Sequence, residues 1–128
     1  MKVTEIAFVG YAVTDIERAK AFYEDILQLV PSRSFGTPPS LWIEYDIGPT
    51  TLAISNMAGE EWQPSRHGGS VALEVSDFNG ALDELRKAGV KFLVEPFSTP
   101  VCEIAIIADP DGNSITVHQR HPESQTTD

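Results

Sequence analysis

One phrase occurs twice in this chain. Tyr11-Ala12-Val13-Thr14-Asp15-Ile16-Glu17-Arg18-Ala19 and Leu73-Glu74-Val75-Ser76-Asp77-Phe78-Asn79-Gly80-Ala81 follow one pattern. A β-like stretch ends in Val, Thr or Ser precedes Asp, and an amphipathic helix opens with Ala four residues after the Asp. The two aspartates, Asp15 and Asp77, stand 62 positions apart in a chain of 128 residues. Two copies of one unit therefore account for nearly all of the chain. The repeat predicts a duplicated fold with a cleft between pseudo-symmetric halves.

Local patterning gives each copy the same element order. Residues 3–13 read as a strand, interrupted only by Gly10. Thr14-Asp15-Ile16-Glu17 has the form of a capping box, with Thr14 capping and Glu17 reaching back to its amide. Ile16, Ala19, Phe22 with Tyr23, and Ile26 recur at helical spacing up to Pro31. A short strand over 32–35 and a hairpin pair over 41–47 and 51–55, turning at Gly48-Pro49, complete a βαβββ module. Residues 57–69 contain Gly59, Pro64, Gly68 and Gly69 and read as a linker. The order then restarts: a strand over 70–75, a helix striped by Phe78, Ala81, Leu82 and Leu85 and ended by Gly89, and a strand over 90–94. A hairpin over 101–108 and 114–119 follows, around Asp109-Pro110-Asp111-Gly112. The expectation is α+β: one domain over 1–128, with modules over about 3–56 and 70–120 and a polar tail over 121–128. In that fold two tandem βαβββ modules form a curved mixed sheet around a cleft, a natural place for a small ligand.

Charge narrows the partners. With 9 Lys and Arg against 19 Asp and Glu, the formal net charge is -10. Nucleic acid and anionic membrane surfaces both require clustered cations, so neither is an expected partner. The acidity serves solubility, and it also suits a cationic or polar aromatic ligand. No apolar run approaches a membrane span. The first residues lack a signal-peptide pattern, and the single cysteine, Cys102, fits a reducing compartment, so a cytoplasmic location is expected.

Two phrases, Val13-Thr14-Asp15-Ile16-Glu17-Arg18-Ala19-Lys20-Ala21-Phe22-Tyr23 and Asp109-Pro110-Asp111-Gly112-Asn113, resemble those of the vicinal oxygen chelate superfamily. Ala88-Gly89-Val90 ahead of Glu95-Pro96-Phe97 adds to the likeness. That superfamily includes glyoxalase I, extradiol dioxygenases, fosfomycin-resistance enzymes and bleomycin-binding proteins. The resemblance implies paired βαβββ modules, usually in a homodimer, with a cleft lined by both modules. Metal-dependent members hold a divalent ion with one residue from the first strand and one from the last strand of each module. Those positions carry over to Phe8 and Ser70, and to Ala53 and Thr116. Phe and Ala have no lone pair to offer, and Ser and Thr hydroxyls are poor ligands beside imidazole, thiolate or carboxylate. No metal or other cofactor is therefore expected.

Individual residues keep two readings each. His118 lies two residues beyond Thr116 and shares its face in a regular strand; it is a cleft base, a ligand-hydrogen-bonding group, or a strand-end residue with a local partner. Cys102 is expected on the cleft side, as a small buried hydrophobe or as a thiol. Glu103 with His118 is a candidate carboxylate–imidazole pair for an enzyme of the same fold, a lyase, isomerase or dioxygenase, with a divalent metal as the lesser alternative. Trp42, with Glu44, Tyr45 and Trp62, offers aromatic surface for stacking or for packing. Asp109 and Asp111 suit backbone capping in a turn. The expected function is binding of a small organic molecule by Phe8, Trp42, Ala53, Ser70, Cys102, Thr116 and His118.

Overall fold

The computed structural model describes residues 1–2 and 4–122. Val3 and most of the expected tail lie outside the described residues. The chain divides into two compact units, Met1–Pro64 and Ser65–Asp128. Each builds one four-stranded mixed sheet with a helix between its first two strands, and in the first unit a short 3-10 turn, Gly59–Glu61, follows the last strand.

In the first unit the strands are β1 (Val9–Ala12), β2 (Arg33–Thr37), β3 (Ser40–Ile47) and β4 (Thr50–Ser55), ordered β1-β4-β3-β2. β1 runs parallel to β4, and the other pairs are antiparallel. The parallel pair requires a crossover, which the helix supplies. β1 is shorter than the expected strand over 3–13, because its ladder with β4 begins only at Val9, opposite Leu52. Helix α1 (Ile16–Lys20) starts at Asp15, whose carboxylate accepts from the Arg18 amide at 3.0 Å. The cap is thus Asp15, one residue after the expected Thr14, and a carboxylate there also faces the positive end of the helix. Thr14 instead takes a hydrogen bond from the Arg18 guanidinium, 3.1 Å.

Past Lys20 the helix widens into a π-helical segment, Ala21–Ile26, and the Leu27 amide bonds the Phe22 carbonyl five residues back. The wider turn buries Phe22 and Tyr23 together, and Tyr23 stacks against Tyr45 of β3 with centroids 6.3 Å apart. The helix ends before Pro31, where Gln28 adopts a left-handed backbone (φ 61°).

In the second unit β5 (Val71–Glu74), β6 (Phe92–Ser98), β7 (Cys102–Ala108) and β8 (Ser114–Arg120) are ordered β5-β8-β7-β6, the same topology. Helix α2 (Phe78–Lys87) is capped by Asp77, which accepts from the Gly80 amide at 3.1 Å, and the chain leaves it through Gly89 (φ 76°). β6 lies further along than the expected strand over 90–94. It is an edge strand whose register shifts twice, between Phe92 and Val94 and between Val94 and Phe97, the second shift accommodating Pro96 and its missing amide hydrogen. Asp109 holds the β7–β8 turn, accepting from the amides of Asp111 (2.9 Å) and Asn113 (2.8 Å). Each core lies between helix and sheet: Ile16, Tyr23, Tyr45, Leu52 and Ile54 in one unit; Leu82, Leu85, Ala105, Ile107, Ile115 and Val117 in the other.

Candidate functional site

Strand alternation sorts each sheet into a face toward its helix and an opposite face. In the first unit Ile43, Tyr45, Leu52 and Ile54 are buried on the helix side. Trp42, Glu44, Ala53 and Gly10 therefore point the other way, with Ala53 in register between Gly10 and Glu44. Three aromatic rings gather there. Phe8 meets Trp42 edge-on, with centroids 5.2 Å apart, and Trp62 lies 6.3 Å from Trp42 at 32°. Trp62 reaches this face from the end of the first unit because Gly10 has no side chain: a Cβ there would stand 3.0 Å from the indole ring. Phe8 is 45% exposed and Trp62 36%, a large apolar area to leave in water.

A charged network borders the rings. The Trp42 indole N–H donates to Glu44 at 2.8 Å, and the Arg33 guanidinium bridges Glu44 and Asp46, the latter at 2.7 Å. Glu44 is held below the usual carboxylate range, chiefly by the Trp42 N–H and then by Arg33, against the opposing effect of burial. Asp46 is lowered likewise by Thr51 and Arg33. Because Glu44 fixes the Trp42 indole and is itself fixed by Arg33, the central ring of the cluster has a set orientation.

In the second unit Gln119 points toward α2, its side chain accepting from the Phe78 amide at 2.9 Å. Its neighbour His118 must face the opposite side. There His118 Nδ1 lies 2.6 Å from Glu74 Oε1, and Glu74 Oε2 accepts from the Arg120 amide at 2.7 Å. Burial acts to raise the Glu74 pKa, but the Arg120 amide and His118 outweigh it and the net shift is downward. Glu103 pairs in register with Gln119, so it stands on the helix side and does not meet His118. The expected Glu103–His118 pair is not formed. Glu103 instead accepts from Ser98 and lies 2.7 Å from His121 Nε2, and these two partners hold its carboxyl below the usual range.

The other expected residues divide. Phe8 and Trp42 come together. Ala53 is wholly buried and offers no surface to a ligand. Ser70 is exposed just ahead of β5, and Thr116 is half-buried beside Ala72 on the face of His118. Cys102, the first residue of β7, stands on the face of Ile104 and His118 but is buried, with Sγ 3.2 Å from Thr99 Oγ1 of the preceding turn. Trp62 was legible only as an aromatic in a linker. Glu74 carried no signal at all, since its meeting with His118 depends on the parallel register of β5 and β8.

A model of the Glyoxalase/Bleomycin resistance protein/Dioxygenase superfamily matches residues 5–117. The chain belongs to that superfamily. No curated protein matches it. Among solved structures, TnmS3, an antibiotic-binding protein from Streptomyces sp. CB03234, is similar at 24% identity and a TM-score of 0.78, covering 94% of this chain and 99% of that one. A superfamily member from Sphaerobacter thermophilus shares 22% identity at a TM-score of 0.74 over 91% of this chain and 98% of its own. The trypanothione-dependent glyoxalase I of Leishmania major is also similar, with 22% identity, a TM-score of 0.74, and coverage of 91% and 87%. At these identities the likeness is one of fold.

The divalent ion held by metal-dependent superfamily members does not fit the residues present. In the first unit the corresponding positions are Phe8, in an aromatic cluster, and Ala53, wholly buried, neither with a donor atom. The second unit offers only the hydroxyls of Ser70 and Thr116. Among the described residues no group of three or more His, Cys, Asp and Glu is placed to hold a metal ion.

Proposed function

We propose that this protein binds a small aromatic organic molecule without a metal ion, on the face formed by Phe8, Trp42 and Trp62. The observation that carries the reading is the substitution of rings for ligands: where metal-dependent relatives carry a donor, this chain has Phe8, edge-on to a tryptophan anchored by Glu44. Aromatic faces attract flat rings and organic cations, and a net charge of -10 disfavours anions. That TnmS3 is an antibiotic-binding protein of the same fold agrees with a binding role. The enzyme alternative based on Glu103 and His118 loses its geometric support. We also read the protein as homodimeric and cytoplasmic; sedimentation at micromolar concentration tests the first. Among the described residues, no helix is long and apolar enough to cross a membrane.

The test is a thermal-shift and tryptophan-fluorescence titration against a panel of aromatic cationic antibiotics. A saturable rise in Tm with quenched emission, lost in Trp62→Ala, supports the reading. No shift with any member of the panel refutes it.

A further inference from the structure

The second unit carries a polar device that the aromatic face does not use. On the face opposite α2, register places Glu74, His118, Ile104 and Phe97 in one cross-strand row. Ala72, Thr116, Ile106 and Val94 form the next. Neighbours within such rows lie about 5 Å apart. One end of the face is therefore a carboxylate–imidazole pair, and the other is aliphatic and aromatic, with Phe97 47% exposed.

The pair has a definite polarity. Glu74 is ionised and accepts at both oxygens: from the Arg120 amide, and from His118 Nδ1, which must therefore carry its proton. Among the described residues Nε2 has no hydrogen-bond partner, and in the neutral ring it carries the lone pair. A neutral imidazole so fixed is an acceptor. The Arg120 guanidinium, 3.8 Å from Glu74 Oε1 on the same face, offsets part of the carboxylate's charge, but with Glu74 2.6 Å from the ring and a chain charge of -10 a neutral O–H is favoured over an anion.

We propose that this face binds a flat apolar ring bearing a neutral O–H, as in a phenol or enol, with His118 Nε2 accepting the hydrogen bond and Glu74 as the positioning residue that sets the tautomer. The ring packs on Ile104, Ile106 and Phe97, and Thr116 borders the acceptor. The inference rests on the reading that the protein takes up small organic molecules, but it concerns different residues and is separable from the aromatic face.

The test compares 1-naphthol with 1-methoxynaphthalene, which keeps the ring and loses the donor, and with 1-naphthoate, which adds a negative charge. Binding is followed by the imidazole nitrogen resonances of His118 and, in parallel, by tryptophan emission. Wild-type protein is expected to show the Nδ1–H tautomer, to shift at Nε2 with 1-naphthol, and to bind it about 3- to 10-fold more tightly than the methyl ether, the worth of one neutral hydrogen bond. His118→Phe should abolish the preference. Glu74→Gln keeps the fold and should show a mixture of tautomers with a reduced preference, an effect that a purely structural role for Glu74 would not give. Equal affinity for naphthol and its ether, a preference that survives in His118→Phe, or no His118 response to millimolar 1-naphthol overturns the proposal. Quenching of tryptophan without a His118 response overturns it while leaving the aromatic-face reading intact.

Discussion

Replacing Gly10 by Ala separates the stability of the first unit from the shape of its aromatic face. The added Cβ would stand 3.0 Å from Trp62 Cη2, 3.4 Å from Cζ2 and 3.6 Å from Phe8 Cε1. Carbon atoms prefer about 3.5–4.0 Å, so the edge of the indole must retreat by roughly 0.5–1 Å. The atoms met are at the far end of a partly exposed side chain, and rotation of the ring suffices. Forfeiting some five to ten contacts of about 0.1–0.2 kcal/mol costs on the order of 1 kcal/mol. Gly10 is not in a left-handed conformation, so removing its freedom in the unfolded chain returns about 0.4–1 kcal/mol. The two effects nearly cancel. At about 4 °C per kcal/mol for this length, Tm should stay within about 4 °C of wild type, while tryptophan emission changes and affinity for an aromatic ligand falls several-fold. Calorimetry and fluorescence titration measure both. A Tm loss beyond about 8 °C, which at that rate means about 2 kcal/mol, would show that Trp62 is rigidly held. Unchanged emission and affinity would show that its position over Gly10 does not matter.

Other expectations follow from single side chains. Asp109→Ala leaves the Asp111 and Asn113 amides and the Asn113 side chain without their buried acceptor, which should cost about 2–4 kcal/mol, read as a lower urea midpoint. Burial, and then the 2.9 Å bond to Glu24, raises the Tyr45 pKa. The unfolded chain ionises there near pH 10 and the folded one does not, so the stability is present below that pH. It falls above it by about 1.4 kcal/mol per unit, and Tyr45→Phe should remove this alkaline loss from urea melts. The lowered Glu44 pKa has the opposite sense: its contribution is present above the ordinary carboxylate pKa and is lost as pH falls through the lowered value. Trp42 emission should report an acid step that Arg33→Ala moves upward. Zinc, manganese and iron titrated into protein purified without chelator should show no stoichiometric tight site. Such a site, lost in His118→Ala, would refute metal-free binding.

Much of the fold was legible because it rests on local rules. The repeated strand–Asp–helix phrase gave two βαβββ modules, Gly89 ended α2, and Asp109 held its turn, each through backbone preferences within a few residues. Departures occurred where neighbours in space intervene. The π-helical widening buries Phe22 and Tyr23 together against the sheet, and the second shift in β6 accommodates an edge-strand proline.

The sequence by itself also determined which chemistry the metal positions lack, because the donor capacity of Phe8, Ala53, Ser70 and Thr116 is a property of residue type. Partnership was beyond its reach. His118 meets Glu74, 44 positions away, and not Glu103, because a parallel ladder aligns the first pair on one face and an antiparallel register sets the second on opposite faces. Trp62 joins Phe8 and Trp42 because a glycine in β1 leaves room for its ring. Alternation along one strand says that a side chain points up or down. Only the pairing between strands says what it finds there.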